Sequence, residues 1–395
     1  TTVLRIFDEF CALQVEVPGR IAFGVNHRGA PSNSGPVRLL AIDALRGAAA
    51  LAVFIFHVSV IADFDKRVLP PFTLFGRTFT GLLSPLSLGS SGVHLFFVIS
   101  GFCLALQQLR GGRLTLAASA LPRYARSRLA RIGPAYWLTV LLAAALCLLR
   151  GQRPPLGLPI DTLLHLFFLH GLDPRAFLSL HGGLWSMATE VQFYALFPLF
   201  LWLFARLRTA RFVALFAVAT LACRLALVLA IPQSPWAPVL AYQLPGRACE
   251  FALGIALADL YYHPRPVARR ACLFALGPLL LIALSIRAFG PSALPDLALG
   301  AFYFVLCGAI LLAPPRTGPG PRLLRVAAAF GRASYSFFLI HFLILIVLSI
   351  FPPAPSLPPW PRFFYLCAAG LPLSSLAAIA LYLGVELPAW RRLRG

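Results

Sequence analysis

The sequence predicts an all-α, polytopic integral membrane protein of about ten transmembrane helices with one short interfacial or re-entrant segment. Three observations carry that prediction. Of 395 residues, 59% are hydrophobic and only 12% charged, and the mean hydropathy of +0.82 lies far from that of a soluble domain. Apolar stretches long enough to cross a bilayer recur along the chain with short polar breaks between them. The 34 Lys+Arg, against 13 Asp+Glu, gather in alternate breaks. That is the charge pattern of a membrane topology rather than of a nucleic-acid surface, so no nucleic acid is expected as a partner.

The elements follow in order. Residues 1–37 read as a flexible N-terminal tail, with scattered charges, the run GVNHRGAPSNSGP and no signal-peptide pattern. Spans are expected at 39–61, 92–109, 132–149, 184–205, 212–231, 241–262, 271–288, 296–313, 334–351 and 363–384. The run TLLHLFFLHGL, 162–172, is too short to cross and supplies the interfacial or re-entrant piece. Together these make one transmembrane domain, 38–390, followed by a short basic C-terminus, 391–395.

With the N-terminus inside, the inside loops 110–131, 206–211, 263–270 and 314–333 and the segment after 385 hold 19 Lys+Arg, and the outside loops hold seven. An eleventh span at 162–172 would put the later basic loops outside, so ten spans with both termini cytoplasmic is the stronger topology. Lys66 is the only lysine, and the Arg/Ala/Leu/Pro-rich usage suggests a GC-rich bacterial genome. No internal repeat is visible, which argues against a transporter or flippase. Of eight cysteines all but Cys11 fall in apolar segments, without a CxxC pair or Cys/His ligand spacing, so neither disulfides nor a metal are expected.

Polar residues inside apolar spans are where function is sought, because a charge at bilayer depth is costly. The first span, RLLAIDALRGAAALAVFIFHVSVI at 38–61, carries Asp43, Arg46 and His57. At about 100° per residue, Arg46 and His57 return to one helix face about 16 Å apart along the axis. A cation and a titratable imidazole on one stripe suit an elongated anionic ligand whose reactive end meets the histidine. The plainer alternative has Arg46 snorkelling to headgroups and His57 as a satisfied interior histidine. Asp43 either pairs with Arg46 at i+3 or shapes the same site.

Five further blocks matter. SGVHLFFVISGF places the small residues Gly92, Ser100 and Gly101 where helices can approach closely. RYARSRLARIGPAYW supplies Arg123, Arg126, Arg128 and Arg131, either ordinary cytoplasmic charge or a phosphate clamp, with Arg128 and Arg131 on one helix face. LWSMATEVQFY puts Glu190 about two turns below the outer surface, near the depth expected of His57, where it would orient that imidazole, with Trp185 in the interfacial aromatic belt. SYSFFLIH offers His341, a donor-binding or structural group. GRACEF places Arg247 and Glu250 at i and i+3, read as a structural pair, while Arg224 has no partner identifiable from spacing. His94, His165, His170, His181 and His263 are taken as unspecialised. No HExxH, GxSxG or Walker-type loop is present.

Taken together these blocks resemble the integral-membrane acyltransferase 3 family of bacterial O-acyltransferases. The resemblance lies in Asp43-Ala-Leu-Arg-Gly with the Arg46–ten residues–His57 pattern, in GVHLFFVISGF with His94 where an acidic residue is more usual, and in Arg128–x–x–Arg131. It continues through LWSMATEVQFYALFP with Glu190, SYSFFLIH, and VELPAW with Glu386 and Pro388. It covers roughly 38–390, in order.

The resemblance implies a ten-helix membrane domain that takes an acyl group, usually acetyl, from cytoplasmic acyl-CoA to a hydroxyl, commonly of a sugar, as in O-acetylation of lipopolysaccharide or exported polysaccharide. Acyl-CoA is then the donor substrate, with no permanently bound cofactor. The acceptor is a saccharide or glycolipid, with a small secondary metabolite such as a macrolide as the alternative. On this reading His57 and Glu190 are catalytic, and Arg46, Arg128, Arg131, His341 and Asp43 hold the donor. Whether His57 acts as general base or as covalent acyl carrier stays open.

Overall fold

The structure, a computed structural model, describes residues 35–64, 72–74, 77–79, 86–110, 113–114, 116–289, 294–314 and 321–394. Nearly all of the expected N-terminal tail, Lys66 and much of the loop 62–91 lie outside the described residues. Among the described residues the fold is helical apart from two small antiparallel ribbons, β1 (Phe72–Leu74) with β2 (Arg77–Phe79) and β3 (Leu109–Arg110) with β4 (Arg113–Leu114).

The apolar segments become helices because they are rich in Leu, Ala and Phe and broken mainly at Gly/Pro/Arg clusters. Helix α1 is Gly35–Ile61, α2 Gly92–Gln107 and α3 Leu121–Leu149. The short α4, Leu158–Leu166, ends in a 3-10 turn at His170–Leu172. Nine residues of helix reach about 14 Å, too little to cross a bilayer. Helix α5, Trp185–Leu229, is 45 residues long and leaves helical geometry at Arg208 (φ 63°, ψ 168°), between two apolar arms. Next come α6 (Trp236–Tyr242), α7 (Leu244–Tyr262), α8 (Ala268–Phe289) and α9 (Pro295–Leu311). The amphipathic α10 (Arg322–Arg332) turns by 69° into α11 (Ser334–Ile350). Helix α12 (Pro359–Leu381) passes through a π-turn into α13 (Leu387–Arg394).

Six of the described helices are long and apolar enough to cross a membrane, or seven when α10 and α11 count as one bent span. Ten crossings are therefore not established. The shortfall has physical causes. Helix α7 carries Arg247, Glu250 and Asp259, α9 has only 17 residues, and both apolar arms of α5 fall within one helix.

Small residues set the packing. Helices α2 and α7 touch backbone to backbone: a Cβ on Gly254 would lie 2.1 Å from the Val98 carbonyl oxygen, and one on Gly101 2.3 Å from that of Phe251. Helix α10 lies as closely on α1, where a Cβ on Gly331 would sit 1.7 Å from the Asp43 carbonyl oxygen. This contact seats the turn that carries Asp43 and Arg46. Gly331→Ala is expected to cost about 3 kcal/mol, the upper range for overpacking against backbone, and to lower the thermal unfolding midpoint in detergent. An unchanged midpoint would disprove the contact. The interior between α5 and α7 is aromatic, with Phe193 stacked on Phe251 at 4.6 Å and Phe200 on Phe216 at 4.5 Å.

Candidate functional site

Helix α1 carries His57 four residues before its last, Ile61, and α11 brings His341 against it. His57 Nδ1 lies 2.8 Å from His341 Nε2. The tautomers follow from what stands behind them. His341 Nδ1 is 3.0 Å from the Phe337 carbonyl oxygen, which only accepts, so this nitrogen bears the proton. His341 Nε2 is then the acceptor, His57 Nδ1–H donates to it, and the lone pair of His57 Nε2 is left free for chemistry. Phe342 meets the His57 ring edge-on at 4.8 Å and Phe337 stacks on His341 at 5.5 Å. His341 is fully buried and His57 half-buried, so the pair is rigid on one side and reachable on the other.

A third imidazole borders the pair. His181, in the loop before α5, donates from Nε2–H to the Leu339 carbonyl at 3.1 Å and accepts the Gly183 N–H at Nδ1, also at 3.1 Å. Burial and the neighbouring His341 hold its pKa down at about 3, so it stays neutral, as an accepting Nδ1 requires.

At the other end of the α1 stripe a charged array forms. Asp43 is within electrostatic reach of Arg46, Arg332 and Arg131, and Cys103 of Arg46, Arg131 and Arg128. Arg131 pairs with the buried Glu386 at 3.3 Å, and Ser336 Oγ–H donates to the same carboxylate at 2.7 Å. Arg128 donates to Gln107 Oε1 at 3.1 Å. Arg46, Arg128 and Arg131 are half-buried, whereas Arg123 and Arg126 are exposed and outside the array. Partly open guanidinium groups gathered this way, one of them fixed by the Glu386 carboxylate, suit phosphate oxygens.

Three expectations need correction. Glu190 does not pair with His57. It accepts hydrogen bonds from Tyr194 Oη at 2.5 Å and Ser100 Oγ at 3.2 Å. Its i+4 tyrosine satisfies it locally, which removes any need for a distant imidazole. His341 does not present a group to a donor, because both its nitrogens are occupied and the ring is buried. Trp185 packs edge-on to Tyr242 at 4.7 Å and beneath Arg247 at 5.6 Å. His94 is far from unspecialised: it lies 2.8 Å from Glu250 and 3.3 Å from Asp296 in a buried ionic cluster.

That cluster includes the Arg247–Glu250 pair at 3.0 Å, as the i,i+3 spacing indicated, and gives Arg224 its partner, Asp296, at 3.0 Å. Sequence reasoning also missed Arg332, which joins the Asp43 array only because α10 doubles back onto α1, and the His181–Gly183 turn. Among the described residues no three His, Cys, Asp or Glu are arranged to hold a metal ion.

A helical membrane domain in which one helix face leads from an arginine array to an imidazole with a free, oriented lone pair has the layout of a membrane-embedded group-transfer enzyme. Comparison with known proteins gives the group. The acyltransferase domain pattern of the acyltransferase 3 family matches residues 39–379, and the chain belongs to that family. It is similar to the Acyltransferase MdmB of Streptomyces mycarofaciens, 27% identical over 337 residues that cover 78% of this chain and 79% of the relative. It is also similar to the Exopolysaccharide production protein ExoZ of Rhizobium meliloti (strain 1021), 30% identical over 319 residues covering 78% and 91%. No solved structure matches the chain. The protein is thus an acyl-transferring enzyme.

Proposed function

We propose that the protein moves an acyl group, acetyl in the first instance, from cytoplasmic acyl-CoA to a hydroxyl of a cell-envelope or exported saccharide. On this reading it sits in a bacterial inner membrane with both termini cytoplasmic, and 38–390 is one catalytic domain. The observation that carries the proposal is the hydrogen-bond line from His57 through His341 to the Phe337 carbonyl, which leaves one imidazole nitrogen basic. That nitrogen is on the same helix as Arg46, about 16 Å further along. The saccharide acceptor is favoured by the relative named for exopolysaccharide production.

The donor's phosphates engage Arg46, Arg128, Arg131 and Arg332, with Asp43 and Glu386 fixing the guanidinium groups, and the pantetheine arm extends along α1. At His57 two routes balance. As base, Nε2 takes the hydroxyl proton while that oxygen bonds to the acyl carbon, the C–S bond breaks, and the imidazolium returns the proton to the CoA sulfur. As carrier, Nε2 bonds to the acyl carbon as the C–S bond breaks; the acceptor oxygen then displaces the imidazole, and the hydroxyl proton balances the CoA thiolate. His341 is a positioning residue in either route. Glu190 takes no part in orienting His57.

The test is direct. Membranes containing the protein are incubated with labelled acetyl-CoA and a panel of envelope glycans. Label is expected in a glycan; label that stays in acetyl-CoA with every glycan would sink the proposal. Arg128→Ala is expected to raise the KM for acetyl-CoA about tenfold, the scale of one charge-assisted contact, and an unchanged donor KM would remove Arg128 from the clamp.

A further inference from the structure

Helix α10 is built unlike the spans around it. Three of its eleven residues are arginine, Arg322, Arg325 and Arg332, a composition too costly for the hydrocarbon core of a bilayer. At about 100° per residue its exposed residues share one face in two adjoining sectors, Arg325 with Arg322 and then Val326 with Leu323. Leu323 is 79% exposed and Val326 39%, so the apolar sector stands outside the packed interior. The opposite face is fastened to α1, with Gly331 against the Asp43 carbonyl and Gly47 against that of Ala327. The direction of α10 is fixed as well. It meets the mostly apolar α11 at 69°, so with α11 along the bilayer normal α10 lies about 20° from the membrane plane. Helix α13 joins α10 at this end through a small apolar cluster of Ala329, Ala333, Tyr382 and Leu387, and it exposes Arg391 and Arg392.

We propose that α10 is an interfacial helix that docks on the anionic phospholipid headgroups of the leaflet around the arginine-array end of the domain. Arg322 and Arg325 pair with lipid phosphates, Leu323 and Val326 enter the acyl boundary, and Arg391 and Arg392 of α13 extend the basic surface. Charge and shape both select a lipid surface. Exposed arginines on two neighbouring helices complement an anionic headgroup layer, each worth about a fivefold change in affinity. An apolar sector running beside a basic one, on a helix lying near the membrane plane, meets headgroups and acyl chains together, which a soluble anion does not require. Arg332, the last residue of α10, lies within electrostatic reach of Asp43. One element therefore carries both the lipid contact and a member of the arginine array. The inference concerns a surface apart from the reaction centre and holds for any acceptor.

The test uses the full-length chain in detergent, titrated with phosphatidylglycerol or phosphatidylcholine, while native mass spectrometry reads the bound lipid and the oligomeric mass. Phosphatidylglycerol is expected to bind more tightly than phosphatidylcholine. Arg322→Gln/Arg325→Gln should weaken it about tenfold or more. Arg150→Gln/Arg153→Gln makes the same charge change at two exposed arginines that follow the far end of α3, and should leave binding unchanged. Leu323→Ser alters no charge at an exposed position and should weaken phosphatidylglycerol severalfold. Inorganic phosphate at the lipid's concentration should not displace it. Equal binding of the two lipids, or equal loss in the two arginine pairs, would overturn the docking surface. Undiminished binding by Leu323→Ser, or displacement by inorganic phosphate, would make it a soluble-anion site instead. A dimer mass that Leu323→Ser abolishes would make the face an interface between copies of the chain. No readout here needs acyl transfer, so this inference and the acyl-transfer reading fail separately.

Discussion

His57→Ala is expected to lower acyl transfer about a thousandfold, within the range for loss of a general base, and to do so without changing the amount of folded protein. The expectation follows from the hydrogen-bond line. His341 Nδ1–H is committed to Phe337 and His57 Nδ1–H to His341, which makes His57 Nε2 the basic nitrogen of the pair. Removing the ring removes the base or the carrier, whichever operates. His341→Ala should cost less, because His57 remains but its tautomer and orientation are no longer fixed. His341→Asn, whose amide oxygen again accepts from His57 Nδ1–H, should recover part of the loss. A purely structural His341 would show no such rescue. Mass analysis of the His57 peptide after acetyl-CoA alone separates the routes: an acetylated imidazole marks the carrier, and an unmodified one during active turnover marks the base. Undiminished transfer by a monodisperse His57→Ala protein would refute the mechanism.

What the sequence made legible was whatever lies on one helix or within one turn. The Arg46–His57 stripe is a property of α1 alone, and a spacing of eleven residues reveals it. The Arg247–Glu250 pair is local for the same reason. The partner of His57 was not legible, because it stands 284 residues away and depends on how α11 packs against α1. Glu190 was assigned by depth counted from a span boundary, and that count ignores helix tilt. A better signal was present: Tyr194 is four residues on, and a carboxylate with a tyrosine at i+4 on a buried face has its hydrogen bond at hand. The ten-span expectation leaned on apolarity and positive charge. It gave helices in the expected places, but α7 departs from the length-and-apolarity rule because it carries buried ions that its neighbours neutralise.

Those ions give the largest stability effect expected outside the reaction centre. Asp296 on α9 accepts from Arg224 NH1 at 3.0 Å and Arg247 NH2 at 3.1 Å, and sits 3.3 Å from His94. Arg224 and Arg247 are 0% and 3% exposed. Arg224 also donates to the carbonyls of Gly246 and Ala241, and Arg247 to Glu250 beside His94, so Asp296 is one of the two carboxylates set against these guanidinium groups. Asp296→Ala leaves that charge uncompensated at depth, where removing one partner of a buried ionic group costs about 3–5 kcal/mol. Four helices meet there, α2 through His94, α5 through Arg224, α7 through Arg247 and α9 through Asp296, so the loss should appear as a clear drop in the thermal unfolding midpoint in detergent. Asp296→Asn keeps the shape and the hydrogen-bond acceptor but not the charge, and should fall between wild type and alanine. The exposed Asp173–Arg175 pair at 2.8 Å is the internal control, since Asp173→Ala removes an ion pair that water already screens and should barely move the midpoint. Equal midpoints for Asp296→Ala and Asp173→Ala would show that the buried cluster does not hold α5, α7 and α9 together.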